Sequence, residues 1–487
     1  MKKILFILMA FLAVSCSKQK LADLNKDIKH PATVPGNTLF SNAEKSLSDQ
    51  DAQINVNLND FDLWAEYLTE TTYVDEANYS ITNRAVPQNT WQVYYIDVLQ
   101  NLHRADSLIK GETTVTAGEK AALTNRLAII DILECYAWDQ METLWGNIPY
   151  SKALNINNTL PAYDDAFTIH KDLIKRVKAD ITALDVNNGS FGSADLIYNG
   201  DVASWKAFAN GLLVKMGIQV ADYDATVAGN AIQAGMGGAI SSPSGNALFQ
   251  YLGGVPNENP LNNNLVLSGR KDYVAANTII DAMTSLNDPR LPFYWDQNMG
   301  TNTYVGGTYG APSAYRNYTH INSAIANDGA FPHPLMTYSE IQFYLAEAAA
   351  RGNLGVPQSD ASMYYDNAVK ASIEYWGGTS AQADAYLAQS SVAYDQANWK
   401  KLIGTQAWIS FFTRWYLAWT EWRRLDYPVL AEPAELNSYP SGVKTFPFRY
   451  SYPVNEQTLN HDNWEAAWKA QGFSEDDMNQ KLYWDKN

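Results

Sequence analysis

The first sixteen residues carry the clearest chemistry in the sequence. Lys2 and Lys3 precede an apolar run, 4–14, and small residues lead up to Cys16. A basic start, a short apolar segment and small residues at its end are typical of a secretory leader, and the run is too short to span a bilayer, which takes about 20 apolar residues. A cysteine directly after small residues is the pattern that lipoprotein processing acylates. We therefore expect a leader over 1–15 and a lipid on the Cys16 thiol, with an ordinary leader and an incidental cysteine as the alternative.

Aromatic and planar polar side chains supply a second kind of chemistry, which is ligand binding by stacking and hydrogen bonding. The sequence holds 15 Trp, 30 Tyr and 16 Phe residues, which together make up 13% of the chain. Tyr and Trp suit half-wet surfaces, where a ring stacks on a sugar face while arginine or asparagine binds the hydroxyls. The same groups could bind a peptide backbone, and any single ring could instead pack in the core.

The ligand-binding candidates lie in or beside two loop-rich segments, 78–90 and about 240–335. Gly, Asn, Pro and Ser crowd the second segment together with aromatic residues, which predicts ordered loops rather than disorder. Near the N-terminus the candidates are Tyr73, Tyr79, Arg84 and Trp91. In the second segment they are Tyr294, Trp295, Tyr304, Tyr309, Tyr315, Arg316 and Tyr318.

Sequence patterns for catalysis and metal binding are missing. There is no Gly-x-Ser-x-Gly elbow, no His-Glu-x-x-His, no Walker loop and no Gly-x-Gly-x-x-Gly, and the 6 histidines lack paired spacing. Cys135 lies in an apolar helical stretch, where we expect a buried, inert thiol without a disulfide partner. The sequence therefore predicts no catalytic residue, no metal and no cofactor, although two of its 52 acidic residues could still form a glycosidase pair.

The charge balance excludes one class of partner. Lys and Arg number 35 against 52 Asp and Glu, which gives a net charge of −17. Nucleic-acid binding requires basic patches, so we expect no nucleic-acid partner. After the leader no apolar stretch of the sequence is long enough to cross a membrane, which leaves the lipid as the membrane attachment.

The elements that position these residues are predicted to be mainly helices. Apolar residues recur with helical spacing over the ranges 121–144, 169–184, 338–351, 361–376, 395–413 and 416–426. Asp201 is a predicted N-cap, and one helix is expected near 272–287 within the loops. Strand signals are weak. We expect a lipidated N-terminus and flexible tether over 16–36 and a single helical domain over 37–487, with the ligand-binding loops at about 240–335.

Several segments, in order, are similar to the SusD/RagB family of nutrient-binding outer-membrane lipoproteins, and more narrowly to its SusD-like branch. They include the helix motif around 336–348, the Glu-Trp-Arg-Arg signature at 421–424 and the Arg-x-x-Tyr-Pro closing motif at 449–453. The remaining matches are at 22–28, 286–292, 361–376 and 483–485. Each motif alone is weak, but their joint order over almost the whole chain is specific.

The resemblance implies a fold of stacked tetratricopeptide-like helical pairs, an α-α superhelix with long, aromatic-rich loops. The charged residues of its motifs are interpreted as a structural network that fastens helices and not as catalytic groups. These ion-pair candidates are Glu340, Glu347, Glu421, Arg423 and Arg424. Arg290, after Asp288-Pro289, is interpreted as a clamp on a turn.

The resemblance also implies a function without catalysis. A lipid-anchored protein of this family captures a nutrient, most often an oligosaccharide, and acts as the lid of a SusC-type TonB-dependent transporter. A peptide ligand is the first alternative, and a surface glycoside hydrolase or a purely structural helical scaffold are alternatives of other classes. The implied location is the outer membrane, facing the exterior. Surface-displayed lipoproteins of this family often carry acidic residues directly after the acylated cysteine, whereas this sequence has Lys18 and Lys20 there. Outward display is therefore an expectation from the family and not from these residues.

Overall fold

A computed structural model describes residues 34–81, 84–438, 443 and 445–487 of the chain. Helices account for 54% of the structure and strands for 4%, which confirms the mainly helical prediction. The predicted leader, the acylated Cys16 and all of the predicted tether except 34–36 lie outside the described residues.

Helices dominate the first half of the chain, up to residue 249. The elements there are α1 (Gly36–Ala52), α2 (Phe61–Trp64), β1 (Leu68–Glu70), α3 (Val86–Gln92), a π-helical stretch (Val93–Leu99), α4 (Gln100–Lys110), α5 (Ala117–Trp145), α6 (Ala166–Ala183), α7 (Val202–Gln219), α8 (Ala225–Gly235) and β2 (Ala247–Phe249).

The middle segment is loop-rich, and helices return after it. The middle elements are α9 (Pro260–Asn262), a second π-helical stretch (Asn263–Leu267), β3 (Tyr273–Ala275), α10 (Asn277–Ser285), α11 (Leu291–Tyr294), α12 (Ser323–Ala326) and β4 (His333–Met336). The later helices are α13 (Tyr338–Arg351), α14 (Ala361–Tyr375), α15 (Ser380–Leu387), α16 (Trp399–Ser410), α17 (Trp415–Leu425), α18 (Val454–Leu459) and α19 (His461–Ala470).

Side-chain caps fix where several helices begin. The Asp201 carboxylate accepts a hydrogen bond from the Ser204 backbone N–H at 3.0 Å, which confirms the predicted N-cap of α7. Thr337 and Glu340 form a capping box at the start of α13, each satisfying the other's backbone N–H. Polar side chains thus fix the first residues of α7 and α13.

The helices stack in sequence order and then fold back. Each helix from α4 to α8 packs against the next, and α13 packs against α7, α14 and α16. Small residues at 346 and 348–350 are fully or almost fully buried on α13 and allow this close approach. The arrangement fits the superhelix of paired helices that the resemblance implies.

Two short antiparallel strand pairs join distant segments. β1 pairs with β3 in the register Leu68↔Ala275 and Glu70↔Tyr273, and β2 pairs with β4. The helix expected near 272–287 is therefore shorter than predicted. Its first residues, Tyr273 to Ala275, pair with β1 as a strand, and the helix itself begins at Asn277.

Aromatic rings and buried ion pairs fill the interior. Phe61 stacks on Trp419 and Tyr450, with ring centroids 4.9 and 5.1 Å apart. Arg290 holds its own turn, because its Nε donates to Asp288 Oδ1 at 2.9 Å, while its Nη1 reaches Ser372 on α14 at 2.9 Å.

Among the described residues, no helix combines the length and the apolar character needed to cross a membrane.

Candidate functional site

The β1–β3 pair forms the base of the candidate site. Its ladder extends by one step, because the Thr71 backbone N–H donates to the Asp272 carbonyl at 2.8 Å. The Tyr273 hydroxyl donates to the Ile54 carbonyl at 2.6 Å and fixes the segment before α2 to the same base. The three residues Glu70, Asp272 and Tyr273 therefore sit at one end of a rigid ribbon.

A long loop, 304–320, is bound along the far edge of β3. The Gly307 N–H donates to the Ala275 carbonyl and the Ala275 N–H donates to the Thr319 carbonyl, both at 2.8 Å. A side chain at Gly306 would come within 2.3 Å of the Asn277 Cα, so only glycine permits this approach. These contacts hold Tyr315 beside the base of the site.

The loop 304–320 forms one wall of the site, and the stretch from Asn259 to Ser268 forms another. Asn259 caps α9 by accepting the Leu261 N–H at 2.8 Å, and its amide donates to the Phe331 carbonyl at 2.8 Å. The Asn262 amide donates to the Ala326 carbonyl on α12, also at 2.8 Å. Asparagine side chains thus hold the wall to its neighbours through backbone acceptors.

Two adjoining cavities border the base and the stretch from Asn259 to Ser268, and together we call them the trough. The first, the Tyr315 pocket, has a volume of about 150 Å³ and is lined by residues that include Lys271, Asp296, Tyr315 and His320. The second, the Tyr73 pocket, has a volume of about 340 Å³ and is lined by residues that include Asn57, Glu70, Tyr73 and Arg84. Both are lined by Asn264, Arg270, Asp272 and Tyr273.

Tyr315 and His320 form a flat platform in the first pocket. Their ring centroids are 3.6 Å apart and their planes differ by 16°. The imidazole Nε2 lies 2.8 Å from the Tyr315 carbonyl, which can only accept, so Nε2 carries the proton. Burial lowers the pKa of His320, which keeps the ring neutral at pH 7. The Lys271 ammonium lies over the Tyr315 ring, 5.0 Å from its centroid, so the stacked pair carries a cationic hydrogen-bond donor.

The charged side chains of the trough are mostly balanced. Arg84 pairs with Glu76, and Arg270 pairs with Asp272. The exposed fraction of Tyr73 is 68%, which leaves most of its ring open to solvent. Open rings, amides and paired charges in a concave site are suited to a neutral, hydroxyl-rich ligand, which needs many directional donors and acceptors.

Three of the eleven predicted binding residues line the trough: Tyr73, Arg84 and Tyr315. Trp91 instead lines a separate apolar groove of about 430 Å³ with Tyr95 and Ile156. The other residues of the loop, Tyr304, Arg316 and Tyr318, lie at the surface or half-buried near Tyr315 but do not line either pocket of the trough.

The structure places four of the predicted binding residues in the core instead. Tyr294 and Trp295 are fully buried, and the Tyr294 ring stacks on Phe412 with centroids 4.3 Å apart. Tyr79 and Tyr309 are also covered by protein. A ligand cannot reach these rings as placed, because they are buried by residues that include Phe412 beside Tyr294 and Phe446 beside Tyr79.

Among the described residues, the structure shows ion pairs for four of the five ion-pair candidates and not for Arg423. Arg424 pairs with Glu347 and Glu421, and Glu340 pairs with Arg414 at 2.7 Å. Arg423 differs, because its guanidinium donates to the carbonyls of Thr143 and Phe448 and lies 3.5 Å from the Trp419 ring centroid. Arg423 is thus held by carbonyls and aromatic faces, without an ion pair in the part of the chain that the structure describes.

Sequence reasoning missed much of the trough lining. Arg270, Lys271 and Asp272 form a charged run directly before β3, and His320 follows a candidate tyrosine by five residues. The asparagines at 262–264 are a further signal in the sequence. Consecutive amides and a charged run inside a loop-rich segment could have indicated these positions.

Two groups in the described residues, all buried except the half-buried Asp131, could supply three metal ligands each: Asp131, Cys135 and Asp180, and Asp139, Glu142 and His170. Cationic side chains already neutralise both groups. Arg176 pairs with Asp131, and Lys215 pairs with Asp139. His170 Nδ1 lies 2.7 Å from a Glu142 oxygen. These contacts make the two groups ion-pair networks inside the helical stack.

A superhelix of paired helices that presents a polar, aromatic trough built from loops defines a ligand-binding protein. A family model described as "Starch-binding associating with outer membrane" matches residues 27–453. The chain belongs to this SusD-like family.

Solved structures share the whole fold. A chitin-binding SusD homologue from Flavobacterium johnsoniae aligns with a TM-score of 0.78 at 20% identity, covering 92% of this chain and 99% of the other. A SusD homologue from Bacteroides uniformis aligns with a TM-score of 0.77 at 23% identity, covering 92% and 100%. A protein described as chitin-binding aligns with a TM-score of 0.77 at 23% identity, covering 93% and 100%. No curated protein is detectably similar in sequence.

Proposed function

We propose that this protein binds an oligosaccharide in the trough and delivers it to a SusC-type TonB-dependent transporter of the outer membrane. The observation that carries the proposal is the trough itself, where the Tyr315–His320 platform and the open Tyr73 ring stand among amide and charged side chains. A ring binds a sugar face by stacking, and the planar polar groups bind its hydroxyls.

The comparisons add support for a glycan. The matching family is described as starch-binding, and two of the solved structures are described as chitin-binding. Starch and chitin are both polymers of pyranose rings, and each offers the apolar ring face that Tyr315 and Tyr73 would contact. Peptide remains the alternative ligand, because amides and arginine also bind a peptide backbone.

The test is calorimetric titration of the protein with starch and chitin oligosaccharides. Tyr315→Ala removes the platform and should weaken binding roughly tenfold, the equivalent of about 1–2 kcal/mol of lost stacking. Tyr318→Ala is the matched control, because this half-buried tyrosine lies three residues away and outside both pockets.

Three results would contradict the proposal. Binding of peptides without any binding of glycans would identify the alternative ligand. Equal losses of affinity in Tyr315→Ala and Tyr318→Ala would mean that the ligand does not bind in the trough. Hydrolysis of the bound glycan, abolished by changing one carboxylate, would make the protein a surface hydrolase.

The transporter partner is tested separately. The lipid on Cys16 would keep the protein at the membrane, and the segment after it would let the binding domain swing over the barrel. Purification of the lipidated protein from its own membranes in mild detergent should recover a large TonB-dependent barrel protein. Cys16→Ala should release the protein from the membrane fraction.

A further inference from the structure

A third cavity continues the trough on the side of α1. It has a volume of about 370 Å³, and we call it the Glu258 pocket after one of its lining residues. Asn55, Asn263 and Asn264 line both this cavity and the Tyr73 pocket. The three cavities therefore follow one another along a single surface, with asparagine side chains at the junction.

The Glu258 pocket carries a charge imbalance that the trough does not. Its charged lining residues are Lys45, Asp49, Asp97 and Glu258. Lys45 pairs with Asp49, whose other oxygen accepts a hydrogen bond from the Tyr251 hydroxyl at 3.0 Å. Within the described part of the chain, no cation pairs with Asp97 or Glu258. Two carboxylates are thus left without a counter-charge.

Of the two carboxylates, Glu258 gives the stronger argument for a ligand site. Its exposed fraction is 7%, and Oε1 accepts a hydrogen bond from the Asn263 amide at 2.9 Å. Its Oε2 receives no hydrogen bond from any described residue. A buried carboxylate oxygen without a donor costs free energy, and a charged donor would recover more of it than a neutral one.

We propose that the Glu258 pocket is a distal subsite for a sugar unit that bears a free amino group, so that the ligand is an extended oligosaccharide with at least one unacetylated amino sugar. This inference rests on the proposed function, because it extends the same trough. An ammonium supplies three donors and a positive charge to Glu258 and to Asp97 at the rim. The Tyr73 and Tyr315 pockets would hold the neighbouring units.

Two β-1,4-linked hexamers provide a direct comparison. Hexamers of glucosamine and of glucose share a backbone and differ only at C2, where one has an amine, protonated to an ammonium in mildly acidic buffer, and the other a hydroxyl. We expect the wild-type protein to bind the glucosamine hexamer about tenfold more tightly in calorimetric titrations at low salt. The preference for the glucosamine dimer over the glucose dimer should be smaller, because a dimer cannot span the trough and the distal subsite together.

Two variants assign the preference to this pocket. Glu258→Gln and Asp97→Asn should each reduce the preference for the amine, Glu258→Gln to about twofold or less. Asp281→Asn is the matched control, since Asp281 is exposed and lines none of the three cavities. Asp97 is exposed, so its variant keeps the test decisive if Glu258→Gln does not fold.

The outcomes separate this inference from the proposed function. Equal binding of both hexamers, or a preference that survives both variants, would overturn the distal subsite while leaving glycan binding in place. An equal loss in Asp281→Asn would assign the preference to the overall negative charge and would also overturn it. Failure of every glycan to bind would overturn the proposed function itself.

Discussion

Two regions of the molecule bury charged side chains to the same depth but supply them with different partners. Where α13 meets α17, Glu347 and Glu421 both pair with Arg424, and all three side chains are at most 4% exposed. The segment 60–76, beside the trough, buries five carboxylates at similar depth: Asp60, Asp62, Glu66, Glu70 and Glu76. Among the described residues, the one cation that pairs with any of these five is Arg84, through Glu76.

The difference in partners separates the pKa of Glu347 from the pKa values of the unpaired carboxyl groups. Burial acts to raise the pKa of Glu347, but Arg424 and Arg351 hold that pKa below its usual value. Burial without an arginine raises the pKa of Asp60 and Asp62 well above the usual value, and raises the pKa of Glu66 to about 8. At equal burial Glu347 is therefore ionised between its arginines, whereas Asp60, Asp62 and Glu66 bind protons. Burial still raises the pKa of Glu421, which shares Arg424 with Glu347.

The largest expected effect tests the paired region. Arg424→Met keeps the side-chain volume but leaves Glu421 without a cation, and it removes one of the two cations that hold Glu347. Breaking a buried pair in this way should lower the free energy of unfolding by about 3–5 kcal/mol, measured by urea denaturation at pH 7.

Arg104→Met provides the control for this change. Arg104 is exposed on α4, and the change should alter the free energy of unfolding by less than about 0.5 kcal/mol. A loss below about 1 kcal/mol in Arg424→Met would mean that the paired carboxylates take up protons as readily as the unpaired ones, and the contrast between the regions would disappear.

The second prediction concerns pH and the unpaired region. Folded Glu66 keeps its proton up to a pKa of about 8, whereas an unfolded glutamate loses it near about 4.3. Between these values the folded state binds the extra proton, so raising the pH costs the wild type up to about 1.4 kcal/mol per pH unit. Glu66→Gln removes this contribution, so its stability relative to the wild type should rise with pH between 5 and 8.

Urea denaturation of both proteins at several pH values measures this difference. A glutamine side chain can still accept the Ala431 N–H that binds Glu66 at 2.9 Å, so the local structure should persist. Parallel pH profiles for the two proteins would contradict the prediction. They would mean that Glu66 has an ionised carboxylate with a counter-charge, as Glu347 has.

The sequence could predict the helices but not the surroundings of individual rings and charges. The N-cap at Asp201 and the ranges of the long helices follow from neighbouring residues, because capping and helical spacing act over one or two turns. Trp295 and Tyr315 lie in the same loop-rich segment and look alike in sequence. Of the two, only Trp295 is fully buried, because Phe412, from the turn between α16 and α17, packs against it.

The same limit explains the charged residues and the rest of the site. Arg423 and Arg424 are adjacent in the sequence, yet one is bound by carbonyls and the other by two carboxylates. His320 and Lys271 became site residues only when β3 brought the loop at 304–320 beside the charged run before it. Partners set by tertiary packing leave no periodic signal in the sequence.

The smallest expected effect on stability comes from Tyr73, and it refines the comparison within one segment. Tyr73 and Tyr79 are six residues apart, but their exposed fractions are 68% and 1%. Tyr73→Ala should change the free energy of unfolding by less than about 0.5 kcal/mol, because an exposed ring loses little packing. It should still weaken binding of an oligosaccharide severalfold in the titrations, because the ring is exposed in the Tyr73 pocket.

Tyr79→Ala is the matched change, and it should mainly destabilise the fold, because the Tyr79 ring packs against Trp64 and Phe446. A Tyr73→Ala protein with unchanged affinity would restrict binding to the Tyr315 pocket, and the carboxylates at 60–76 would then lie beside the site without bordering the ligand.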